Sequence, residues 1–186
     1  LNKLKTAVFI SGTGSNLNSI IKFSKTKKSP VSIDLIISNT SEAKGLRYAY
    51  QFVIMNKIFN FKNIKIAEKK ILTLLKKENI KFICLAGFMK ILSKDFIKKF
   101  DGRIINIHPS LLPKYKGLNT HGRAIKNEDK FAGCTVHYVT EKLDSGKIIM
   151  QKKIKIASID NITSLAKKVL KLEHKLYPAA IIKIFT

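Results

Sequence analysis

Thr6-Ala7-Val8-Phe9-Ile10-Ser11-Gly12-Thr13-Gly14-Ser15-Asn16-Leu17 is an apolar run that empties into a glycine turn, after which Leu17, Ile20, Ile21 and Ser24 fall on one helical face. Strand, tight turn and helix in that order make the first half of a βαβ unit, and the chain repeats the alternation. Val31 to Ile37 reads as a second strand, and Ser38-Asn39-Thr40-Ser41 offers capping side chains for a helix over about Glu42 to Gln51. Val53-Ile54-Met55 reads as a short third strand. Ile64 to Lys77 sets Ala67, Ile71, Leu74 and Leu75 among lysines, the pattern of a surface helix. Phe82 to Ala86, closed by Gly87, and Arg103 to Ile107, entered through Asp101-Gly102, are further strands. Strands separated by helices predict an α/β fold: a doubly wound, mostly parallel twisted sheet with helices on both faces. From Gly133 the texture changes. Cys134 to Val139 and Lys147 to Ile156, joined by Thr140 to Gly146, read as a hairpin added to the sheet, and Ile162 to about Phe185 as a long terminal helix interrupted late by Pro178.

A length of 186 residues fits one domain, 1–186, and 45% hydrophobic residues supply a sizeable core, which excludes a disordered basic tail. No apolar run approaches the roughly 18 residues of a membrane span, and Ala7 to Ile10 is too short for a signal-peptide core. A soluble, cytoplasmic protein is the expectation. The net charge of +24 comes from 36 Lys+Arg against 12 Asp+Glu. Only Arg47, Arg103 and Arg123 are arginines, and the lysines are spread along the whole chain. That is the pattern of a solvated lysine surface with a positive field for small anionic substrates, rather than of a dedicated nucleic-acid face. No specific nucleic acid and no membrane are expected as partners, and the chain is expected to be a monomer or a homodimer. Metals are not favoured: His108, His121, His137 and His174 lie far apart, and Cys84 and Cys134 have no CxxC spacing. No GxSxG nucleophile elbow is present.

Five segments could carry chemistry. In Gly12-Thr13-Gly14-Ser15-Asn16 the glycines admit an anion close to the backbone, and N–H groups at the helix start, with Ser15 and Asn16 as caps, can bind phosphate. The run lacks a Walker lysine and the third glycine of a dinucleotide fingerprint, Leu17 standing there, so an ordinary glycine turn is the alternative. Asn106 and His108, two apart in a strand that Pro109 ends, point together at its C-terminal end, where open α/β sheets place ligands. An amide beside an imidazole suits an oxyanion, and equally a capping Asn and an interior His. Asp144 precedes Ser145-Gly146 and is either a turn former or one of the few acids able to partner a histidine. Glu173 lies on or beside the apolar stripe Val169, Leu172, Leu176, Ala180, as a boundary residue or a recogniser of a cationic group. Phe88-Met89-Lys90-Ile91-Leu92 follows a strand and is either core packing or the wall of a pocket for an aromatic ligand.

Taken in order, SGTGSNL at 11–17, ISN at 37–39, LAGFMKIL at 85–92, INIHPSLLPKYKGLNTH at 105–121, GCTVHYVTEKLDSG at 133–146 and LEHKLYP at 172–178 resemble the phosphoribosylglycinamide formyltransferases (glycinamide ribonucleotide transformylases), folate-dependent enzymes of purine synthesis. The resemblance covers nearly the whole chain, and HPSLLPKYKG is its most specific part. It implies attack by the amine of glycinamide ribonucleotide on the formyl carbon of 10-formyltetrahydrofolate, without an acyl-enzyme and without a metal. It implies that Asn106 and His108 stabilise the oxyanion, and that Asp144 holds or charges His108 and helps move the proton off the attacking nitrogen. By the same resemblance Gly12, Thr13, Gly14, Ser15 and Asn16 bind the ribonucleotide phosphate, and Glu173 holds the substrate amine. The folate cleft is then formed by Phe88, Met89, Lys90, Ile91 and Leu92 with Val139, Thr140, Glu141 and Leu143.

The sequence departs from that family at Lys90, where arginine is common, and at Asn119, where a second histidine is common. Phe59 to Asn63 is short and holds no arginine for an anionic tail. Methionyl-tRNA formyltransferase would need a further C-terminal domain, for which this length leaves no room. In formyltetrahydrofolate hydrolase the histidine is followed by a second His, where Pro109 stands here.

Overall fold

The computed structural model describes residues 2–186. One seven-stranded sheet, in the order β3-β2-β1-β4-β5-β6-β7, runs through it. Strands β1 (Leu4–Ile10), β2 (Val31–Ser38), β3 (Met55–Ile58), β4 (Phe82–Leu85) and β5 (Arg103–His108) pair in parallel; β6 (Phe131–Tyr138) and β7 (Ile148–Lys155) add on antiparallel. Alternate β1 side chains feed two cores. Val8 and Ile10 pack with α1 (Ser15–Ser24), α2 (Leu46–Phe52), α5 (Thr120–Lys126) and α6 (Ile162–Phe185). Ala7 and Phe9 pack on the other side with α3 (Ile64–Lys77) and α4 (Lys94–Lys99). Helices on both faces and buried apolar runs in the central strands, Ala7 to Ile10, Leu35 to Ile37 and Phe82 to Leu85, are what a parallel sheet buried on both sides requires. The strand order reverses between β1 and β4, so the loops after these two strands splay apart and leave a crevice at their C-terminal ends.

Several local expectations change. Helix α2 starts at Leu46 rather than Glu42 because Gly45 closes on the glycine turn after β1: its N–H donates to Gly12 O at 2.9 Å, and a Cβ on Gly45 would meet Gly14 Cα at 2.8 Å. Val53 is not in a strand. It ends α2 in the left-handed region at φ 54, 92% exposed, and β3 begins at Met55. Nor do Ser15 and Asn16 cap α1: the N-cap is Gly14, at φ 73, with no side-chain cap. The six- and seven-residue α4 and α5 were not foreseen, being too short to show a periodicity.

Pro178 does not interrupt α6, which runs unbroken to Phe185. A proline inside a helix removes the N–H that its fourth preceding carbonyl would accept. Here that carbonyl is His174 O, and the Ser19 hydroxyl of α1 donates to it at 2.7 Å. The orphan acceptor thus becomes a tie between α1 and α6.

The start of α6 carries an acid-labile clamp. Asp160 accepts from Lys168 Nζ (2.7 Å), Ala157 N–H (2.9 Å) and the Ser164 hydroxyl (2.8 Å), and these, the Lys168 bond foremost, pull its carboxyl down to about 2. A folded pKa below the unfolded one stabilises above the ordinary value of 3.8 and is lost as pH falls through the folded value. The Tm advantage of the native chain over Asp160→Asn is therefore expected to be full at neutral pH and to close between about pH 4 and pH 2. Melting curves across that window check this; a constant gap would mean that the charge of Asp160 contributes nothing.

Candidate active site

The crevice is a cleft of about 740 Å³, and every candidate residue of the sequence lines it: Gly12–Asn16 after β1, Phe88–Leu92 after β4, Asn106 and His108 at the end of β5, Val139–Thr140–Glu141 and Leu143–Asp144 after β6, and Glu173 from α6. Topology accounts for part of the convergence: the segments after β1 and β4 and the end of β5 share one edge of the sheet. Strand β6 runs antiparallel, so its loop leaves toward the start of β5, Val139 N–H donating to Ile104 O at 2.9 Å, and reaches back to the cleft.

Asn106 and His108 pair across to His137 and Thr135 of β6, and directly opposed residues share a face. His137, which the sequence brought forward only as a metal candidate to be dismissed, therefore joins the site. Its Nδ1 lies 2.9 Å from Tyr138 O, a group that can only accept, so Nδ1 carries the hydrogen. Nε2 is then an acceptor and takes one Asn106 Nδ2 hydrogen at 3.3 Å. This fixes the amide and leaves its second hydrogen free. The available signal was Thr135-Val136-His137: two polar residues alternating within an apolar strand.

Asp144 joins the two histidines. Its Oδ2 accepts from Gly117 N–H at 2.9 Å and lies 3.4 Å from His108 Nδ1, and its Oδ1 lies 3.6 Å from His137 Nε2. Burial works to raise this carboxyl, but the His137 ring, which donates to it from Nε2 when protonated, the Gly117 N–H and the charge of His108 outweigh it and hold Asp144 below the usual carboxylate range. The acid is ionised throughout the neutral region.

Beside α1, Asn16 Nδ2 donates to Glu173 Oε2 at 2.6 Å, and Asn16 Oδ1 is buried with no partner among the described residues. The Asn16 side chain thus presents an acceptor and would repel a phosphate; only its backbone N–H suits one. Burial pushes the Glu173 carboxyl up, and the Asn16 bond offsets part of that. On the opposite wall Phe88 stacks edge-on against Phe9 and Phe61, while Met89, Ile91 and Leu143 are exposed around the mouth. Glu141 reaches the cleft, but its carboxylate is held by Lys94 at 2.8 Å and Lys98 at 3.7 Å, which ties the loop after β6 to α4. Among the described residues no group of three or more His, Cys, Asp or Glu side chains could hold a metal, and no helix is long and apolar enough to cross a membrane.

Known proteins share this architecture. The phosphoribosylglycinamide formyltransferase of Haemophilus influenzae is 43% identical over 98% of this chain and 87% of its own. The human trifunctional purine biosynthetic protein adenosine-3 is 41% identical over 96% of this chain, which spans only 18% of that larger protein. Among solved structures, phosphoribosylglycinamide formyltransferase from Brucella melitensis superposes with a TM-score of 0.93 at 41% identity, covering 98% of this chain and 96% of that one. The same enzyme from Campylobacter jejuni superposes at 0.92 and 34% identity, covering 100% and 99%. With residues 4–181 matching the formyl transferase family, and relatives of like length sharing both sequence and fold, the chain belongs to that family.

Proposed function

We propose that residues 1–186 form one cytoplasmic formyltransferase domain, which moves the formyl group of 10-formyltetrahydrofolate to the amine of glycinamide ribonucleotide in purine biosynthesis. The observation that carries this is the meeting of Asn106, His108, His137 and Asp144 at one point of a cleft with an apolar wall on one side and a helix start on the other.

The N–H groups at the start of α1, uncapped by any side chain, receive the ribonucleotide phosphate. The net charge of +24 favours arrival of both anionic substrates. Glu173 and the unpartnered Asn16 Oδ1 accept from donors of the same substrate, its amine in this reading. The apolar wall from Phe88 to Leu92, with Val139 and Leu143, takes the flat folate ring.

The amine nitrogen then bonds to the formyl carbon, and the carbonyl oxygen takes up negative charge. The free Asn106 hydrogen donates to that oxygen, and His108 stands beside it with Nδ1 against the Asp144 carboxylate. The nitrogen, positive after attack, releases a proton toward Asp144 through water. Collapse breaks the bond to the folate nitrogen, which leaves protonated. The assay that tests this follows loss of 10-formyltetrahydrofolate with and without glycinamide ribonucleotide. Turnover that requires the nucleotide is expected; hydrolysis at the same rate without it would overturn the assignment.

A further inference from the structure

A second line of groups reaches His108 from the side away from Asp144, and its meaning rests on the role just proposed for that histidine. His108 Nε2 lies 2.8 Å from the backbone carbonyl of Tyr115. A carbonyl only accepts, so Nε2 carries the hydrogen. Tyr115 stands at φ 57, in the left-handed region that a bulky side chain rarely adopts, so its surroundings must hold it there. They do so through the phenol, which donates to Asp129 Oδ2 at 2.8 Å and accepts from Asn127 Nδ2 at 2.9 Å. Arg123 lies 4.8 Å from the ring centre, and Lys114 Nζ holds the other Asp129 oxygen at 2.9 Å. The Lys114 bond, with the Tyr115 phenol adding to it, keeps the Asp129 carboxyl below its ordinary range.

We propose that Asp129 and Tyr115 form a positioning arm for His108. Asp129 fixes the phenol, the phenol fixes the strained backbone of Tyr115, and the Tyr115 carbonyl takes the Nε2 hydrogen. The imidazole is thereby held in one rotation, with Nδ1 as the nitrogen presented to Asp144. Without the arm the ring can turn over and exchange its nitrogens, which differ in what they can donate. The Nε2 hydrogen then loses its carbonyl, and the wrong edge of the ring faces the reacting oxygen.

Tyr115→Phe and Asp129→Ala are expected to lower kcat about tenfold each with KM for both substrates changed less than about twofold, the pattern of lost orientation rather than lost binding. The double variant should be no slower than the worse single one, because both cut the same line of contacts. Asp129→Asn keeps an acceptor oxygen for the phenol and should restore most of kcat. Nitrogen NMR of the His108 imidazole gives a readout that needs no turnover: hydrogen on Nε2 in the native chain, mixed forms in Tyr115→Phe. Unchanged kcat and an unchanged imidazole spectrum, with only Tm lowered, would overturn the arm, as would additive losses in the double variant. A native chain that places the hydrogen on Nε2 yet transfers no formyl group would overturn the formyl-transfer reading while supporting the arm.

Discussion

Asp144→Asn is expected to lower kcat for formyl transfer by about 10²-fold or more, about 2.7 kcal/mol of transition-state stabilisation, while KM changes little and Tm falls only slightly, by what the depressed carboxyl contributes at neutral pH. The split separates two roles that this residue combines. Asp144 stands at φ 46, a left-handed turn position, and asparagine is among the few side chains at ease there. Asparagine can also still accept the Gly117 N–H that Asp144 Oδ2 takes at 2.9 Å. As a turn former, then, the substitution costs nothing. As the charge between His108 and His137 it removes everything: the carboxylate 3.4 Å from one ring and 3.6 Å from the other becomes neutral, and its amide NH₂ can no longer take a proton from the attacking nitrogen. Steady-state kinetics beside a thermal melt decide the matter. A variant with near-native kcat would reduce Asp144 to its turn, and the chemistry would rest on Asn106 and His108.

Much of this was legible in the sequence, for reasons that differ by element. The alternation of strand and helix exposed the parallel sheet because the central strands β1, β2 and β4 carry short apolar runs that no surface helix resembles, as Phe82 to Leu85 shows. Asn106 and His108 could be placed at a strand's C-terminal edge because Pro109 marks where the strand stops. What the sequence hides is register. His137 enters the site because β6 runs antiparallel to β5 with His137 opposite Asn106, and no spacing along one strand reveals a partner across the ladder. Asp129 is equally invisible: it reaches His108 through a tyrosine whose useful atom is a backbone carbonyl. The continuation of α6 past Pro178 depends on a hydroxyl 155 residues away from the carbonyl it satisfies. Asn16 teaches the opposite lesson. Its place in a glycine turn suggested a phosphate contact, yet its side chain is turned to Glu173 and offers an acceptor.

Two glycines of the same turn are expected to respond to substitution in opposite ways. Gly14 sits at φ +73, and a Cβ there would lie 2.5 Å from Gly45 Cα, backbone against backbone, where no side-chain movement can relieve it. The crowding comes from the start of α2 and not from a bound phosphate, so Gly14→Val acts first on folding. Overpacking of this kind costs about 1–3 kcal/mol, and the left-handed backbone adds about 1–2 kcal/mol for a residue with a Cβ. Against a total stability of about 5–15 kcal/mol the valine variant loses a large share of its margin, and unfolds at ordinary temperature where the native stability lies at the lower end of that range. Gly14→Ala carries the same Cβ in a milder form and should melt about 6–12 °C below the native chain, at about 2–4 °C per kcal/mol for this length. Gly12 differs, because a Cβ there meets nothing within 4 Å while the residue still lines the cleft. Gly12→Ala should therefore keep the native Tm and raise KM for glycinamide ribonucleotide about tenfold, with the folate KM held, since the added methyl stands where the anion approaches the backbone. Melting curves and two-substrate kinetics on the two alanine variants test both halves. An unchanged Tm in Gly14→Ala would show that the turn does not depend on its contact with Gly45, and equal KM losses for both substrates in Gly12→Ala would remove the phosphate from this loop.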